Sequence, residues 1–188
     1  MSGENRRRWD AAHARAAGGE TPPPAPFLVE HVALLPVGRT LDLAAGAGRN
    51  ARFLAGRGHR VVAADASRVA LAEIRRRCPD VATVQVDFDH PCVRPASVDA
   101  IVCVNFLDRR LFPEFRAWLR PGGVLLLDTF LVDQRQVGHP RNPDFLLGRN
   151  ELLERLAGYR VLRYREGPVE AGSAVHYRAG IVAVRPQN

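Results

Sequence analysis

The sequence predicts a doubly wound α/β fold, in which helices cover both faces of one mostly parallel sheet. The first observation is that short apolar runs alternate with helix-length segments between residues 27 and 130, a pattern typical of parallel sheets. The second is that two apolar runs follow in the last third with no helix between them, which predicts an antiparallel hairpin. Together they predict a Rossmann-like, seven-stranded sheet that ends in this hairpin.

The predicted elements begin with an extension. Residues 1–19 are polar and arginine-rich and are compatible with a helix. The proline-rich stretch at 21–26 then breaks that helix, because proline lacks an N–H and restricts the residue before it. We therefore expect residues 1–26 to form an N-terminal extension or lid, and residues 27–188 to form a single domain with one core.

Strands and helices then alternate along the domain. Apolar runs predict strands at 40–44, 60–65, 81–86, 98–104 and 124–130, and a terminal hairpin of 159–164 and 175–184 around a turn-rich segment at 165–174. Helical spacing and stop residues predict helices at 27–35, 49–57, 68–77, 111–119 and 151–156. Ser67 and Asn150 are candidate N-caps. The polar segment 131–149 is predicted to be a long loop, and loops of that length are usually functional or disordered.

Polar side chains stand at the ends of four predicted strands: Asp42, Asp65, Asp87 and Asn105. Because parallel sheets bind ligands beyond the carboxyl ends of their strands, we expect these side chains to converge on one site. A glycine turn, Gly46-Ala47-Gly48, follows the first strand, and the missing Cβ atoms let the backbone approach a ligand. Asp65 is placed to accept hydrogen bonds from ribose hydroxyls. The pattern therefore predicts an adenosine-type cofactor.

Two cofactor classes fit a glycine turn of this kind. Residues 46–51 match Gly-x-Gly-x-x-Ala, the pattern of nicotinamide-dependent dehydrogenases. Asp42 argues against that class, because a carboxylate just before the turn would repel a pyrophosphate but attract a sulfonium that carries a free amino group. Little chain remains for a separate substrate domain, and the terminal hairpin differs from the second half of a dehydrogenase. A nicotinamide enzyme is therefore the weaker alternative.

The same residues resemble the first motif of class I S-adenosylmethionine-dependent methyltransferases, an acid followed by three residues and Gly-x-Gly. The motif reads Asp42-Leu43-Ala44-Ala45-Gly46-Ala47-Gly48, in which Ala44 replaces a common glycine. Later family motifs correspond to Val98-Asp99 and to the Leu-Arg-Pro-Gly-Gly of residues 119–123, so the resemblance covers residues 36–130. It implies S-adenosylmethionine as the cofactor and a methyltransferase domain for residues 27–188.

Within that family, the chain is similar to the small methyltransferases related to the tellurite-resistance and thiopurine enzymes. This similarity rests on the short length of the chain, on Arg8-Trp9-Asp10 and on Gly48-Arg49-Asn50. It does not identify the methyl acceptor, because one fold serves many substrates.

The resemblance assigns roles to individual residues. It implies that Asp65 binds the ribose and that Asp87 (or alternatively Asp89) and Phe88 lie beside the adenine. Trp9 is expected in a lid over the cofactor, with packing on the core as the alternative. Asn105 is expected at the methionine end of the cofactor or at the acceptor, with a structural strand-end amide as the alternative. The full set of expected cofactor-binding residues is Trp9, Asp42, Ala44, Gly46, Gly48, Asn50, Asp65, Ala66, Asp87, Phe88 and Asn105.

The loop at 131–149 follows the fifth strand, where a methyl acceptor would enter. His139 is the candidate general base, since a histidine there can take a proton from the acceptor. Arg141 is the candidate contact for an anionic acceptor. The alternative for both residues is an ordinary polar loop, and His176 and Tyr177 in the last strand are expected to be structural.

Charge and cysteine content narrow the choice of partners. The net charge is +7 and the chain contains no lysine, a balance that favours anionic partners, including nucleic acid. The arginines are spread along the whole chain, however, as on an ordinary basic surface. No apolar run approaches the ~20 residues that span a bilayer. Three cysteines without metal-ligand spacing are typical of reduced thiols. We expect a cytoplasmic monomer or homodimer with no metal and no membrane association.

These observations lead to one hypothesis and two alternatives. The protein is expected to transfer a methyl group from S-adenosylmethionine, by in-line displacement, to a small-molecule nucleophile such as a thiol or a chalcogen oxyanion. The first alternative is methylation of RNA or another nucleic acid, which the positive charge favours. The second is binding of S-adenosylmethionine without catalysis.

Overall fold

The computed structural model of the chain describes residues 3–16, 19–91, 93–172 and 174–187. The strands are β1 (Arg39–Leu43), β2 (Arg60–Asp65), β3 (Ala82–Gln85), β4 (Val98–Val104), β5 (Leu119–Phe130), β6 (Arg160–Ala171) and β7 (Ala174–Val184). The α-helices are α1 (Gly3–Ala16), α2 (Pro26–His31), α3 (Arg49–Ala55), α4 (Arg68–Arg77), α5 (Leu111–Trp118) and α6 (Glu151–Arg155). Within these described residues, no helix has the length and apolar character needed to traverse a bilayer.

The strands form one sheet in the order β3-β2-β1-β4-β5-β7-β6. The first five strands run parallel, whereas β7 lies antiparallel between β5 and β6. The chain therefore builds the sheet outward in both directions from β1, and the strand order reverses between β1 and β4. This topology confirms the predicted fold class, including the terminal hairpin.

Helices pack on both faces of the sheet, as predicted. On one face, Phe27 of α2, Leu54 of α3 and Ile74 of α4 join the apolar side chains of the strands in a buried cluster. On the other face, a second cluster includes Trp118 of α5 and Leu152 of α6. Because successive strand side chains point to opposite faces, a strand covered on both sides must be apolar throughout. This explains the nearly continuous apolar run of β4.

Two C-terminal strands are longer than predicted. β5 begins at Leu119 rather than at residue 124, because Leu119 already pairs with Val98 before the register shifts. The prediction of a turn-rich segment at 165–174 is wrong, since β6 continues to Ala171 in register with β7. Pro168 is tolerated there because β6 is an edge strand, where a missing N–H costs little.

The segment 131–149, predicted to be a long loop, is held against the sheet near both of its ends. Leu131 and Leu147 form a parallel bridge, and both side chains are buried. Two short 3-10 turns, Val132–Gln136 and Pro143–Phe145, shape the chain between them. The loop is therefore anchored beside the end of β5.

The two predicted helix caps have different outcomes. The Ser67 hydroxyl accepts a hydrogen bond from the Ala70 N–H at 3.2 Å, so the predicted cap of α4 is confirmed. Asn150 stands at the N-cap position of α6, but its φ is +61° and its side chain makes no capping bond. Its short side chain tolerates this left-handed conformation better than most residues. The position of Asn150 before α6 was thus predicted correctly. Its role there is the left-handed backbone conformation and not the predicted side-chain cap.

Helix α1 is attached to the rest of the chain rather than projecting from it. It packs against α4, and the Ser67 hydroxyl donates a hydrogen bond to Oδ1 of Asp10 at 2.6 Å. Arg77 at the end of α4 donates to the carbonyl of Gly19 at 2.6 Å. The N-terminal segment therefore lies against the domain, and its action as a lid stays a prediction.

Candidate functional site

A glycine turn connects β1 with α3 at the edge where the strand order reverses. Ala44, Gly46 and Gly48 in this turn all have positive φ, at +54°, +54° and +84°. This left-handed conformation strains alanine by about 1–2 kcal/mol but is readily adopted by glycine. A Cβ at Gly48 would also lie 2.7 Å from Cγ1 of Ile74 on α4. Gly48 is therefore required both by the backbone conformation and by packing.

Asp65, at the end of β2, holds this turn in place. The Gly46 N–H donates a hydrogen bond to Oδ2 of Asp65 at 2.8 Å, and the Ser67 N–H donates to Oδ1 at 2.8 Å. The side chain is buried, and each carboxylate oxygen keeps a second lone pair. Asp65 is thus a fixed hydrogen-bond acceptor beside the glycine turn.

Asp42 is buried in β1, beside the turn. Within the described residues, its Oδ2 has no hydrogen-bond partner, which is costly for a buried oxygen. Burial is the main cause that raises the pKa of Asp42 to about 7. The charge of Asp65 acts in the same direction, whereas a hydrogen bond from the Ala51 backbone and the charge of Arg49 act against it. A cationic group beside Asp42 would favour its charged form and satisfy the unpartnered oxygen.

Asn50 and Ala66 flank the turn. Asn50 is buried in α3, and its Oδ1 accepts a hydrogen bond from the Ala25 N–H at 3.0 Å. Ala66 is buried after Asp65, and its carbonyl accepts a hydrogen bond from Nε2 of Gln85 at 3.1 Å. Both residues hold segments around the turn together, and contact of either with a cofactor stays a prediction.

Asp87 and Phe88 follow the end of β3. Phe88 is buried, and its ring centroid lies 4.8 Å from that of Phe106. Asp87 is half-buried, and its Oδ1 accepts a hydrogen bond from the Asp89 N–H at 3.1 Å. Asp87 is therefore the more accessible residue of the predicted adenine pair, and Phe88 packs into the core beneath it.

Helix α1 passes over the glycine turn. Asp10 on this helix accepts the hydrogen bond from Ser67 already described. His13 places its Cε1 atom 3.5 Å from the position that a Cβ on Gly46 would occupy. Trp9 is 44% exposed, with its ring 6.2 Å from the ring of His13. Sequence reasoning missed His13, because a single histidine in a polar helix gives no sign of what it faces.

A buried ion-pair network joins the ends of β4, β5 and β7. Asp128 is 2% exposed and pairs with Arg165 at 3.1 Å and with Arg178 at 2.7 Å. Arg178 also donates to Oδ1 of Asn105 at 2.7 Å, and the Asn105 N–H donates to the carbonyl of Asp128 at 2.9 Å. The predicted site residue Asn105 is thus part of a network that sequence reasoning missed. The available signal was a single acid inside the apolar run of β5.

A buried glutamine fixes the loop that carries the predicted acceptor residues. Gln134 accepts a hydrogen bond from the Tyr177 N–H at 2.8 Å, and its Nε2 donates to the carbonyl of His139 at 3.0 Å. The same Nε2 lies 3.3 Å from Nδ1 of His176. The side chains of His139 and Arg141 are exposed. Gln134 therefore fixes the backbone of His139, the predicted base, and also contacts the ring of His176.

Two cysteines are packing residues in the core. Cys78 and Cys103 are buried free thiols, and burial raises the pKa of each above its usual value. Cys92 lies outside the described residues.

A comparison with protein families bears directly on this geometry. Residues 40–123 match the family described as methyltransferase domain. This part of the chain is therefore similar to a methyltransferase domain. The matched residues run from β1 into β5 and include the glycine turn together with Asp42, Asp65 and Asp87.

Individual relatives support the same assignment. A demethylmenaquinone methyltransferase from Beutenbergia cavernae is 38% identical over 98 residues, which cover 49% of this chain and 40% of that protein. The match thus spans less than half the length of this relative. TehB from Haemophilus influenzae superimposes with a TM-score of 0.75 at 19% identity, over 94% of this chain and 67% of that chain.

A second solved structure extends the comparison. An S-adenosylmethionine-dependent methyltransferase from Mesorhizobium loti gives a TM-score of 0.70 at 20% identity, over 86% of this chain and 98% of that chain. At such identities the solved structures establish the fold. The Mesorhizobium loti protein is named for its dependence on S-adenosylmethionine, which is a sulfonium cation. The residues present fit that cation, since a carboxyl oxygen without a partner lies beside a turn of small residues.

The glycine turn gives the first testable expectation. Gly48→Ala should destabilise the fold by about 2–4 kcal/mol. Alanine is strained in the left-handed conformation of residue 48, and its Cβ would also clash with Ile74. Gly58→Ala is the matched control, since its φ is +85° but the nearest atom to a new Cβ, in Val37, is 3.8 Å away. The control should lose only ~1–2 kcal/mol. Urea unfolding measures both variants, and equal losses would contradict a packing constraint at residue 48.

The buried carboxyl of Asp42 gives an expectation for pH dependence. Its folded-state pKa is raised from 3.8 to about 7, so the native state keeps a proton that the unfolded state has lost between these values. The contribution of Asp42 to the free energy of unfolding is therefore present below about pH 4 and is lost as the pH rises through about 7. Asp42→Asn cannot lose this proton. The free energy of unfolding of the variant, minus that of the parent, should therefore increase by about 2–4 kcal/mol from pH 4 to pH 8.

Urea unfolding of both proteins across this pH range tests the expectation for Asp42. The difference between the two curves isolates the titration, because any constant packing cost of the amide cancels. Parallel curves would show that Asp42 titrates near its usual pKa in the folded protein.

Proposed function

We propose that the protein transfers the methyl group of S-adenosylmethionine to a small-molecule nucleophile, such as a thiol or a chalcogen oxyanion. The observation that carries the proposal is the buried, unpartnered oxygen of Asp42 beside the glycine turn. A carboxyl in that position suits a sulfonium cofactor with a free amino group and disfavours a pyrophosphate.

The proposed cofactor roles follow from the geometry of the strand ends. S-adenosylmethionine, when bound, supplies an electrophilic methyl group on a sulfonium. The carboxylate of Asp42 attracts the positively charged methionine end of the cofactor. The remaining lone pairs of Asp65 accept hydrogen bonds from ribose hydroxyls. We assign Asp87 to the adenine, because it is half-buried and follows the end of β3. Trp9, on the helix that crosses the turn, covers the site from the N-terminal side.

The contribution of the protein to the rate is mainly orientation. In the transfer, the bond between the methyl carbon and sulfur breaks as the bond to the acceptor forms, and S-adenosylhomocysteine leaves. Holding both reactants in line can contribute roughly 7–11 kcal/mol. A thiolate or chalcogen anion needs no general base, whereas an oxygen or nitrogen acceptor must lose a proton. We assign that role to His139, and the binding of an anionic acceptor to Arg141.

Two observations support a small acceptor. The segment 131–149 is held beside β5 by the bridge between Leu131 and Leu147 and by Gln134, so the loop that carries His139 and Arg141 has a fixed backbone there. The relatives named above also include an enzyme whose name refers to a small molecule, demethylmenaquinone. Methylation of nucleic acid is the second candidate, favoured by the net charge of +7.

A sequence of three measurements tests the proposed function. Mass spectrometry of the purified protein first detects a co-purified adenosyl ligand. Release of S-adenosylhomocysteine is then measured with thiols, with chalcogen oxyanions and with RNA as acceptors. Turnover with a small molecule supports the proposal, whereas turnover with RNA alone supports the second candidate. Binding of NADH without binding of S-adenosylhomocysteine would contradict the cofactor assignment itself.

Asp65→Ala should abolish binding of S-adenosylhomocysteine, because it removes the ribose acceptor and releases the Gly46 and Ser67 amides. Isothermal titration calorimetry measures the loss. Asp80→Ala is the control, since it removes the same charge from an exposed turn. Circular dichroism confirms that both variants are folded. Unchanged affinity in Asp65→Ala would remove Asp65 from the site.

His139→Ala should lower kcat for an oxygen or nitrogen acceptor about 10²–10⁴-fold, the usual contribution of a general base. It should leave the rate with a thiolate acceptor and the affinity for S-adenosylhomocysteine unchanged. His90→Ala, at another exposed histidine, is the matched control. Full activity of His139→Ala with every acceptor would exclude the base role.

A further inference from the structure

A second candidate site lies on the outer side of α3. It is a cleft of about 370 Å³, lined by Pro24, Arg49, Arg52, Phe53, Gly56 and Arg57. This volume falls within the usual range of small-molecule sites, ~300–1,000 Å³. None of the lining residues belongs to the segment 131–149 that carries the proposed acceptor contacts.

The guanidinium groups of this cleft keep N–H donors that the described residues do not use. Within the described part of the chain, Arg49, Arg52 and Arg57 form no ion pair and donate no side-chain hydrogen bond to another residue. Arg57 instead lies over the ring of Phe53, 4.8 Å from its centroid. A guanidinium has five N–H donors, and pairs of them match the oxygens of a carboxylate or phosphate. The cleft thus combines guanidinium N–H donors with the apolar side chains of Phe53 and Pro24.

Arginine-rich composition does not by itself produce such a cleft. A second cleft, of about 570 Å³, is also lined by arginines but contains their partners. There, Arg109 and Arg155 pair with Glu151 at 2.7 Å and 2.5 Å. Arg149 pairs with Asp133 at 2.6 Å. The cleft at α3 differs from it in having three arginines and no acid among its lining residues.

Arg49 stands at the end of the cleft closest to the buried charges of the sheet. Burial lowers the pKa of Arg49, and the positive charge of Arg178 lowers it further, whereas Asp42 and Asp128 raise it. A half-buried guanidinium that faces a like charge and makes no hydrogen bond is unfavourable by itself. An anion bound to Arg49 would offset both the burial and the repulsion.

We propose that this cleft binds a small organic anion, whose carboxylate or phosphate groups contact Arg49, Arg52 and Arg57. Its apolar part lies against Phe53 and Pro24. The site is independent of which acceptor receives the methyl group, and it is expected to bind its ligand with or without S-adenosylmethionine.

Isothermal titration calorimetry of the full chain tests this site with two probes, benzene-1,2-dicarboxylate and inorganic pyrophosphate. The parent protein should bind both. The double variant Arg52→Ala/Arg57→Ala should weaken both at least tenfold. The double variant Arg160→Ala/Arg163→Ala is the matched control, because it removes the same charge from exposed positions of β6 at the far edge of the sheet. The control should stay within twofold of the parent.

Several results would overturn the proposal. Equal weakening in the two double variants would mean that the probes respond only to net charge. Absence of binding to the parent, with binding of a short RNA instead, would identify a nucleic-acid surface. S-adenosylhomocysteine should bind Arg52→Ala/Arg57→Ala as it binds the parent. A parallel loss of that binding would contradict an independent site while leaving the proposed methyl transfer to be judged by its own assays.

Discussion

The candidate site depends on the two hydrogen bonds that the Asp65 carboxylate accepts. One oxygen holds the Gly46 amide and the other holds the Ser67 amide, so one side chain fixes the turn after β1 and the start of α4. Ser67 in turn caps α4 and holds Asp10 of α1. Hydrogen bonds to a charged acceptor are stronger than neutral ones. The glycine turn, α4 and the N-terminal helix are therefore positioned together by a single buried charge.

The two other acids at this edge differ in how their charge is balanced. Asp42 and Asp128 lie on the same face of the sheet, because Asp42 pairs with Val102, which pairs with Leu126, two residues before Asp128. Asp128 is neutralised by two arginines. Asp42 has a raised pKa, and one of its oxygens has no hydrogen-bond partner among the residues that the structure describes. The acid nearest the glycine turn is thus the one that a cationic cofactor can satisfy.

The sequence predicted the features that short-range interactions determine. The bounds of β2 and β4 were correct because apolar runs end there at polar residues, and the Ser67 cap was correct because its bond reaches only three residues. The full length of β6 was not predictable from its turn residues, since pairing with β7 overrides them. Gln134 and Asp128 were missed for the same reason. Their partners on β7, 42 to 50 residues away, become neighbours only through strand register.

The two proposed sites next to Arg49 suit ligands of opposite charge. The glycine turn beside Asp42 suits a cation, whereas the outer cleft of α3 suits an anion. Arg49 follows the glycine turn and lines the cleft, and its pKa is lowered mainly by burial and further by Arg178, whereas Asp42 raises it. A cation at the turn would keep Asp42 ionised, and an ionised Asp42 stabilises the charged guanidinium of Arg49. The first residue of α3 is therefore a half-buried positive charge next to both proposed sites, with Asp42 on the side of the glycine turn and Arg52 and Arg57 in the cleft.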